Sequence, residues 1–99
     1  MIQVNGTIKL APDADRSAIE AIVTMVKATR LEDGCIDYAM AQDLADPDTL
    51  ILFERWKDMA ALEAHMQTPH MAEFQKVMAA NPPVGRRIRM YETDEGKPL

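Results

Sequence analysis

The sequence predicts an α+β fold of the ferredoxin-like type, with helices packed on a four-stranded antiparallel sheet. Three observations support this fold class. The chain has 99 residues, the size of one domain. Segments that alternate apolar and polar residues stand between segments with helical spacing. The elements follow in the order strand, helix, strand, strand, broken helix, strand, which is the split βαβ pattern. We therefore expect one domain with one hydrophobic core.

The first strand and the first helix follow from residue spacing. From Ile2 to Leu10 the large apolar residues occupy alternate positions, with polar residues between them. Ser17 and Glu20 have the spacing of a capping box, so the helix is predicted to begin close to Ser17. Gly34 is suited to ending it. The predicted apolar face of this helix consists of Ile19, Ile22, Val23, Val26 and Leu31.

Two strands follow, separated by an acidic turn that contains a proline. The first is predicted over Cys35–Gln42, with Tyr38 and Met40 on the same row. The second is predicted over Thr49–Trp56 and is apolar on both rows of side chains. A strand of this composition is typically covered on both faces.

The second half of the chain predicts two consecutive helices and a last strand. Asp58 is a good N-cap for a short helix that reaches His65 or Met66. The Thr68–Pro69 pair then combines an N-cap with a proline at the first helical position, so a third helix begins there. The last strand is predicted over Val84–Glu92.

The pattern divides the chain into a domain over residues 1–92 and a polar C-terminal tail over residues 93–99. Both crossovers of the split βαβ unit should place their helices on the same face of the sheet, because such connections are right-handed. The opposite face is then bare, although Thr49–Trp56 presents apolar residues there. We expect this face to meet its equivalent in a second subunit, which gives a two-fold homodimer.

Composition excludes several classes of partner. The formal net charge of −5 argues against binding nucleic acid. No stretch approaches the roughly 20 apolar residues that cross a bilayer, so no membrane span is predicted. The first residues do not read as a secretory signal.

Cys35 is the single cysteine, so no internal disulfide forms and a cytoplasmic location is expected. A small buried filler is the favoured interpretation of Cys35, because no basic cluster adjoins it in sequence.

Chemically useful side chains gather between residues 50 and 71. This segment holds the only tryptophan, Trp56, and both histidines, His65 and His70. His65 is expected at the end of one helix and His70 at the start of the next, where the backbone dipoles favour opposite protonation states. Such a pair suits acid and base catalysis. The alternative is that one or both histidines only fix the helix break through hydrogen bonds.

Three other side chains are candidates for holding a substrate. Trp56 and Tyr38 offer flat apolar surfaces with one polar atom, which suits an aromatic ring, although either could instead be core. Asn5 lies on the polar row of the first strand and could project into a pocket to bind a substrate oxygen. Its alternatives are solvent exposure or a contact with a neighbouring strand.

A metal site is not predicted. His65 and His70 are five residues apart across a proline-broken turn, and no cysteine or third histidine supports them. Glu63 or Glu73 could add an oxygen ligand, but neither spacing is a known zinc pattern.

Three segments resemble the antibiotic biosynthesis monooxygenase family, in particular its branch of bacterial quinol monooxygenases. They are GCIDYAM at residues 34–40, LFERW at residues 52–56 and LEAHMQTPHM at residues 62–71. In element order the resemblance covers nearly the whole chain. It implies a dimeric α/β barrel in which each subunit holds a pocket between its sheet and its helices. It also implies that O2 oxidises a quinol or dihydroxyaromatic molecule without flavin, haem or metal.

Under this resemblance the partners are a small aromatic substrate and O2, and no cofactor is needed. Removing a proton from a quinol gives an electron-rich anion that can pass an electron to O2. We predict that His65 or His70 takes or relays this proton. Trp56 and Tyr38 then hold the ring, and Asn5 holds an oxygen.

Two other functions stay open. Relatives with a similar strand end and similar histidines isomerise phosphorylated sugar-derived signals, so a cofactor-free isomerase of a small phosphorylated carbonyl compound is one alternative. Arg55, Arg86 or Arg87 in the pocket would favour it. Other relatives bind haem, so a non-catalytic dimeric module that binds haem or an aromatic molecule is the other alternative. An apolar cavity lined by aromatic residues would favour oxygenation.

Overall fold

A computed structural model describes residues 1–15 and 18–99 of the chain. Over these residues it contains four strands and three helices in the predicted order. The elements are β1 Ile2–Lys9, α1 Ala18–Thr29, β2 Cys35–Gln42, β3 Thr49–Trp56, α2 Met59–Met66, α3 Pro69–Ala80 and β4 Gly85–Glu92. The predicted capping box of Ser17 lies outside the described residues, so the structure does not test it.

The four strands form one antiparallel sheet in the order β2-β3-β1-β4. β1 and β2 are therefore parallel to each other and separated by β3, which is the split βαβ arrangement. The predicted α+β ferredoxin-like fold is confirmed. β2 carries one irregularity, because the register shifts between Cys35 and Asp37 where they pair with β3.

The helices cover one face of the sheet. On that face β1 contributes Ile2, Val4 and Ile8, which are buried, and β3 contributes alternate residues from Leu50 to Trp56. Two groups of buried side chains form the core, one around Trp56 and Met25 and the other around Ile8, Leu10, Ile22 and Leu50. The alternation seen in the sequence of β1 thus separates a face covered by helices from an open face.

The local signals for α2 and α3 are confirmed. Asp58 is the N-cap of α2, and its Oδ1 accepts a hydrogen bond from the backbone N–H of Ala61 at 2.9 Å. Thr68 is the N-cap of α3, its Oγ1 accepts from the backbone N–H of Met71 at 3.4 Å, and Pro69 takes the first helical position. These caps satisfy backbone donors that have no partner inside a helix. They also fix where His65 and His70 stand.

Three predictions for α1 are wrong. The helix ends at Thr29, so Leu31 lies in the following turn, where it is 89% exposed. Val23 is 44% exposed, and the buried positions of the helix include Met25 and Thr29. Gly34 has the positive φ of 83° that glycine tolerates, but it adopts it at the end of the turn into β2, not at the end of the helix.

The second face of the sheet is open in the single chain. Ile51 of β3 and Tyr91 of β4 are both about half exposed, so the prediction that β3 is covered on both faces is not met within one subunit. Residues 93–99 form no helix or strand and are exposed, although Arg55 Nη2 donates a hydrogen bond to the carbonyl oxygen of Asp94 at 2.5 Å. Within the described ranges, no helix has both the length and the apolar composition that a membrane span requires.

Gly6 allows β1 and β4 to approach each other. A Cβ atom at this position would lie 1.8 Å from the carbonyl oxygen of Arg87 on β4. Because this oxygen belongs to the backbone of β4 and cannot move aside as a side chain would, only separation of the two strands would relieve the clash. Gly6→Ala should therefore lower the free energy of unfolding by about 1–3 kcal/mol, measured by urea denaturation.

Gly85→Ala is the matched control, because a Cβ there meets only Lys9 Cβ, at an ordinary 3.5 Å. If the two variants are equally stable, the close approach of β1 and β4 does not require a glycine at position 6.

Candidate active site

Three of the sequence-predicted site residues form an aromatic cluster under the helices. Trp56 is the last residue of β3 and is fully buried. Its ring centroid lies 4.7 Å from that of His65 on α2 and 6.4 Å from that of Tyr38 on β2. Tyr38 and His65 are themselves 5.5 Å apart. The structure thus brings together residues that are 27 positions apart in sequence.

The break between α2 and α3 positions the two histidines. His65 lies in the last turn of α2 and is 1% exposed, and His70 is the second residue of α3. Thr68 joins the two helix ends, because its Oγ1 donates to the carbonyl oxygen of His65 at 2.7 Å while also capping α3. The two imidazole centroids are 6.1 Å apart.

Glu32 connects the histidines. It lies in the turn between α1 and β2, and its Oε2 is 2.7 Å from His65 Nδ1 and 2.8 Å from His70 Nε2. A carboxylate only accepts hydrogen bonds, so each imidazole donates the proton of the nitrogen that faces Glu32. We assign these protons from the hydrogen-bond pattern. In its neutral form each histidine then keeps its other ring nitrogen as a proton acceptor.

This arrangement, which we call the Glu32 network, runs from the core to the surface. The side chains of Glu32 and His70 are 14% and 20% exposed, whereas that of His65 is almost completely buried. A proton that His65 takes up in the core can therefore pass through Glu32 to His70, which contacts solvent. Such a network suits proton storage or relay.

The same three residues offer the ligand atoms of a metal site. One atom from each of Glu32, His65 and His70 lies within 4.8 Å of the others. Two histidines and a carboxylate are ligand types that zinc accepts. However, the two nitrogen-to-oxygen distances are those of hydrogen bonds, and ligands of a tetrahedral zinc lie roughly 3.3 Å apart. An ion would have to replace both hydrogen bonds, so the geometry fits the network better than a metal centre.

A cavity of about 580 Å³ lies between the sheet and the helices. Its lining is largely apolar and includes Val4, Ile8, Met40, Leu52, Ile88, Leu62, Met66, Met71, Phe74 and Met78. Tyr38 and Glu54 supply polar atoms on the sheet side, and Gln75 and Arg86 also contribute to the lining. A space of this size and composition suits a flat aromatic molecule with a few oxygen atoms.

Glu54 is the one carboxylate among the described residues that line this cavity. It lies on the helix-covered face of β3 and is 5% exposed. Its Oε1 accepts a hydrogen bond from Trp56 Nε1 at 2.8 Å. Burial raises the pKa of Glu54 above its ordinary value, although the hydrogen bond from Trp56 and the charge of His65 act in the opposite direction. The carboxyl group is thereby prepared to hold a proton at a higher pH than a free glutamate.

Two other groups near the site keep their protons. Burial, together with the carboxylate of Glu54, raises the pKa of Tyr38, so its phenol is a hydrogen-bond donor rather than a base. Burial and the charge of Glu32 raise the pKa of Cys35 as well. A thiol in this environment is a poor nucleophile, as the sequence predicted. Cys35 is only partly buried, however, and not the buried filler that was expected.

The sequence-predicted site residues divide into three groups by position. Tyr38 lines the cavity directly. Trp56, His65 and His70 are not among the lining residues and stand beside it, with Trp56 linked to the cavity through Glu54. Asn5 lies on the open face of the sheet, opposite the cavity, where its Oδ1 accepts a hydrogen bond from Gln3 Nε2 at 3.0 Å.

Sequence reasoning missed both carboxylates of the site. Glu54 shares its row of β3 with Leu52 and Trp56, so the alternation of the strand could have placed it beside the indole. Glu32 carries no comparable signal, because it lies in a turn and is 33 residues from His65.

Comparison with known proteins identifies one matching family and several relatives. The family model described as "Antibiotic biosynthesis monooxygenase" matches residues 1–77. The protein sll1783 of Synechocystis is 38% identical over 73 residues, which are 74% of this chain and 50% of that protein. The match therefore spans only half the length of this relative. YgiN of Escherichia coli K12, described as a probable quinol monooxygenase, is 30% identical over 79% of this chain and 85% of its own length.

Solved structures show the same fold. PA3566 from Pseudomonas aeruginosa superimposes with a TM-score of 0.83 at 28% identity, covering 93% of this chain and 92% of that one. Rv0793 from Mycobacterium tuberculosis gives a TM-score of 0.84 at 23% identity, covering 96% of both chains.

Proposed function

The chain belongs to the antibiotic biosynthesis monooxygenase family, and from this premise we propose that it is a cofactor-independent monooxygenase that oxidises a quinol or other dihydroxyaromatic molecule to a quinone with O2. The observation that carries this proposal is the apolar cavity of about 580 Å³, with the phenol of Tyr38 and the carboxyl group of Glu54 in its lining. A planar substrate that fills such a cavity displaces water from its apolar walls and finds polar contacts for its oxygens.

The proposed reaction balances without an external reductant. With a naphthoquinol, one atom of O2 enters the ring and the other leaves as water, and the substrate supplies all four electrons. The product is a hydroxyquinone. Because the quinol must lose a proton before it gives an electron to O2, the protein has to supply a proton acceptor, a fixed ring orientation and a dry environment.

Each predicted site residue has a place in this proposal except one. His65 and His70 relay protons through the Glu32 network, which reaches solvent at His70. Tyr38 contacts the ring from the cavity wall, and Trp56 supports that wall from behind. Asn5 is directed to the opposite face of the sheet, so we assign it no substrate contact within one subunit.

We further propose that the protein is a cytoplasmic homodimer that joins the open sheet faces. The half-exposed Ile51 and Tyr91 on this face would be covered by a second subunit. On the same face, Arg55 Nε is buried and has no hydrogen-bond partner among the described residues, which is expected where a second chain completes the contact. The lone Cys35 is compatible with a reducing compartment.

One observation favours the isomerase alternative. Arg86 of β4 is among the cavity-lining residues and could bind the phosphate of a phosphorylated carbonyl compound. Arg86 is exposed, however, whereas the buried charged group of the lining is the carboxylate of Glu54, which would repel a phosphate. The oxygenase is therefore the better match to the cavity.

The test is oxidation of a naphthoquinol under 18O2. We expect O2 uptake above the rate of autoxidation and a hydroxyquinone that carries one atom of oxygen-18. His65→Ala should lower the rate by about 10²- to 10⁴-fold, because proton transfer by a positioned group is worth that much. His65→Asn serves as a second variant, since its amide can still donate to Glu32 and preserve the fold.

Gln67→Ala is the control, because Gln67 follows His65 closely in sequence but is exposed. The proposal loses its support if no oxygen-18 enters the product and the His65 variants react at the same rate as this control.

A further inference from the structure

Glu54 is a buried acid that the roles assigned above leave unused. It stands on β3 with Val4 of β1 and Tyr38 of β2 as its cross-strand neighbours, in a row that is otherwise apolar or aromatic. Among the described residues it has no salt-bridge partner. A carboxylate without a salt-bridge partner is costly at such a position, so its presence calls for a chemical reason.

The cavity supplies that reason. The imidazoles are not among the groups that line it, whereas the side chain of Glu54 is. A substrate in the cavity therefore meets Glu54 before it meets either histidine. The indole N–H of Trp56 holds Oε1 of Glu54 at 2.8 Å and so fixes the orientation of the carboxyl group. Proton transfer requires a base within hydrogen-bond reach of the proton, and geometry is the first criterion for its identity.

We propose that Glu54 is a catalytic residue, the group that accepts the phenolic proton of the substrate inside the cavity, while the Glu32 network behind it keeps the proton-relay role proposed above. This inference rests on the proposed function. In the step, the O–H bond of the quinol breaks, the proton binds a carboxylate oxygen of Glu54, and the electron pair stays on the substrate oxygen. The resulting anion reduces O2 as a ring carbon forms a bond to one oxygen atom, and Glu54 returns its proton to the other oxygen atom. The O–O bond then breaks, and the departing oxygen also takes the proton of the ring C–H and leaves as water.

The groups that face Glu54 are compatible with this role. Tyr38 on β2 stays protonated and can hold the substrate oxygen. The charge of His65 on α2 lowers the pKa of Glu54, and the charge of Glu32 raises it. Arg86 on β4 lines the same cavity. Burial keeps the pKa of Glu54 above its ordinary value. The raised pKa makes the carboxylate a stronger base, and the reaction needs a base that can take a phenolic proton.

The test compares Glu54→Gln with the wild-type protein. The amide oxygen of glutamine can still accept the hydrogen bond from Trp56, so the variant removes the ionisable group and preserves the contact. We expect the rate of naphthoquinol oxidation to fall by about 10²- to 10⁴-fold. Glu63→Gln, the same change at an exposed position of α2, should retain the wild-type rate.

A second readout does not depend on activity. Trp56 is the only tryptophan, so the intrinsic fluorescence of the protein reports the protonation of the group that its indole contacts. The wild-type emission should change with a midpoint above about 4.3, the ordinary value for glutamate. This component should be lost in Glu54→Gln and kept in His65→Asn, which assigns it to Glu54 and not to His65.

The two readouts separate failure of this inference from failure of the proposed function. If the wild type oxidises the quinol and Glu54→Gln retains its rate within about threefold, Glu54 is not the proton acceptor. If neither the wild type nor any variant oxidises the quinol, the proposed function fails. The fluorescence measurement alone then tests the inference about Glu54. A Glu54-dependent component above the ordinary value then supports Glu54 as a proton-exchanging group of the cavity, and its absence overturns the inference.

Discussion

Trp56→Ala should lower the free energy of unfolding by about 3–5 kcal/mol, the usual cost of replacing a fully buried tryptophan. Trp56 is 0% exposed and packs against His65, with ring centroids 4.7 Å apart. The substitution also removes the donor that Glu54 Oε1 accepts from, which leaves a buried carboxyl oxygen without that partner. Domains of this size are stable by about 5–15 kcal/mol, so this variant should lose a large share of the total.

The measurement is urea denaturation followed by far-ultraviolet circular dichroism, because the variant has no tryptophan fluorescence. Leu44→Ala is the control for loss of a large apolar side chain, since Leu44 is fully exposed and should change the stability by less than about 0.5 kcal/mol. A loss below about 1 kcal/mol for Trp56→Ala would contradict the packing described for the aromatic cluster.

Glu32→Ala should be the second most damaging substitution. It removes the acceptor of two ring N–H groups, those of His65 and His70. Each buried donor left without a partner costs about 1–3 kcal/mol, and His70 can partly recover by contacting water, so we expect a total of roughly 2–4 kcal/mol. The loss should appear in urea denaturation, and the protected imidazole N–H signals should disappear from the proton NMR spectrum.

Glu63→Ala provides the comparison, because Glu63 is an exposed glutamate on α2. If the two variants unfold at the same urea concentration, Glu32 does not hold the histidines in place.

Local signals made most of the fold predictable from the sequence. The alternation of β1, the N-caps Asp58 and Thr68 and the proline at position 69 each act over a few residues, and each is confirmed. The end of α1 was predicted too late because Leu31 continues the helical spacing by chance. In the structure the chain leaves the helix at Thr29 to form the turn that carries Glu32.

The candidate site was predictable only in part. Trp56, His65 and His70 stood out because they are rare and close together in sequence, and they do come together in space. Their connection through Glu32 depends on contacts 33 and 38 residues apart, which no short pattern reveals. Asn5 stands apart from these residues. It belongs to the polar row of β1, and that row faces away from the helices that enclose the cavity.

The central position of β1 has a consequence for how the chain folds. β1 pairs with β4 in a register that joins Ile2 to Glu92, so a strand from the beginning of the sequence meets one from its end. Such contacts of high sequence separation slow folding, because loop-closure entropy is lost before the pairing compensates for it. The β2–β3 hairpin joins residues that are close in sequence, so we expect it to form early. We expect the cavity and its carboxyl group to take their final shape late, when β1 completes the middle of the sheet.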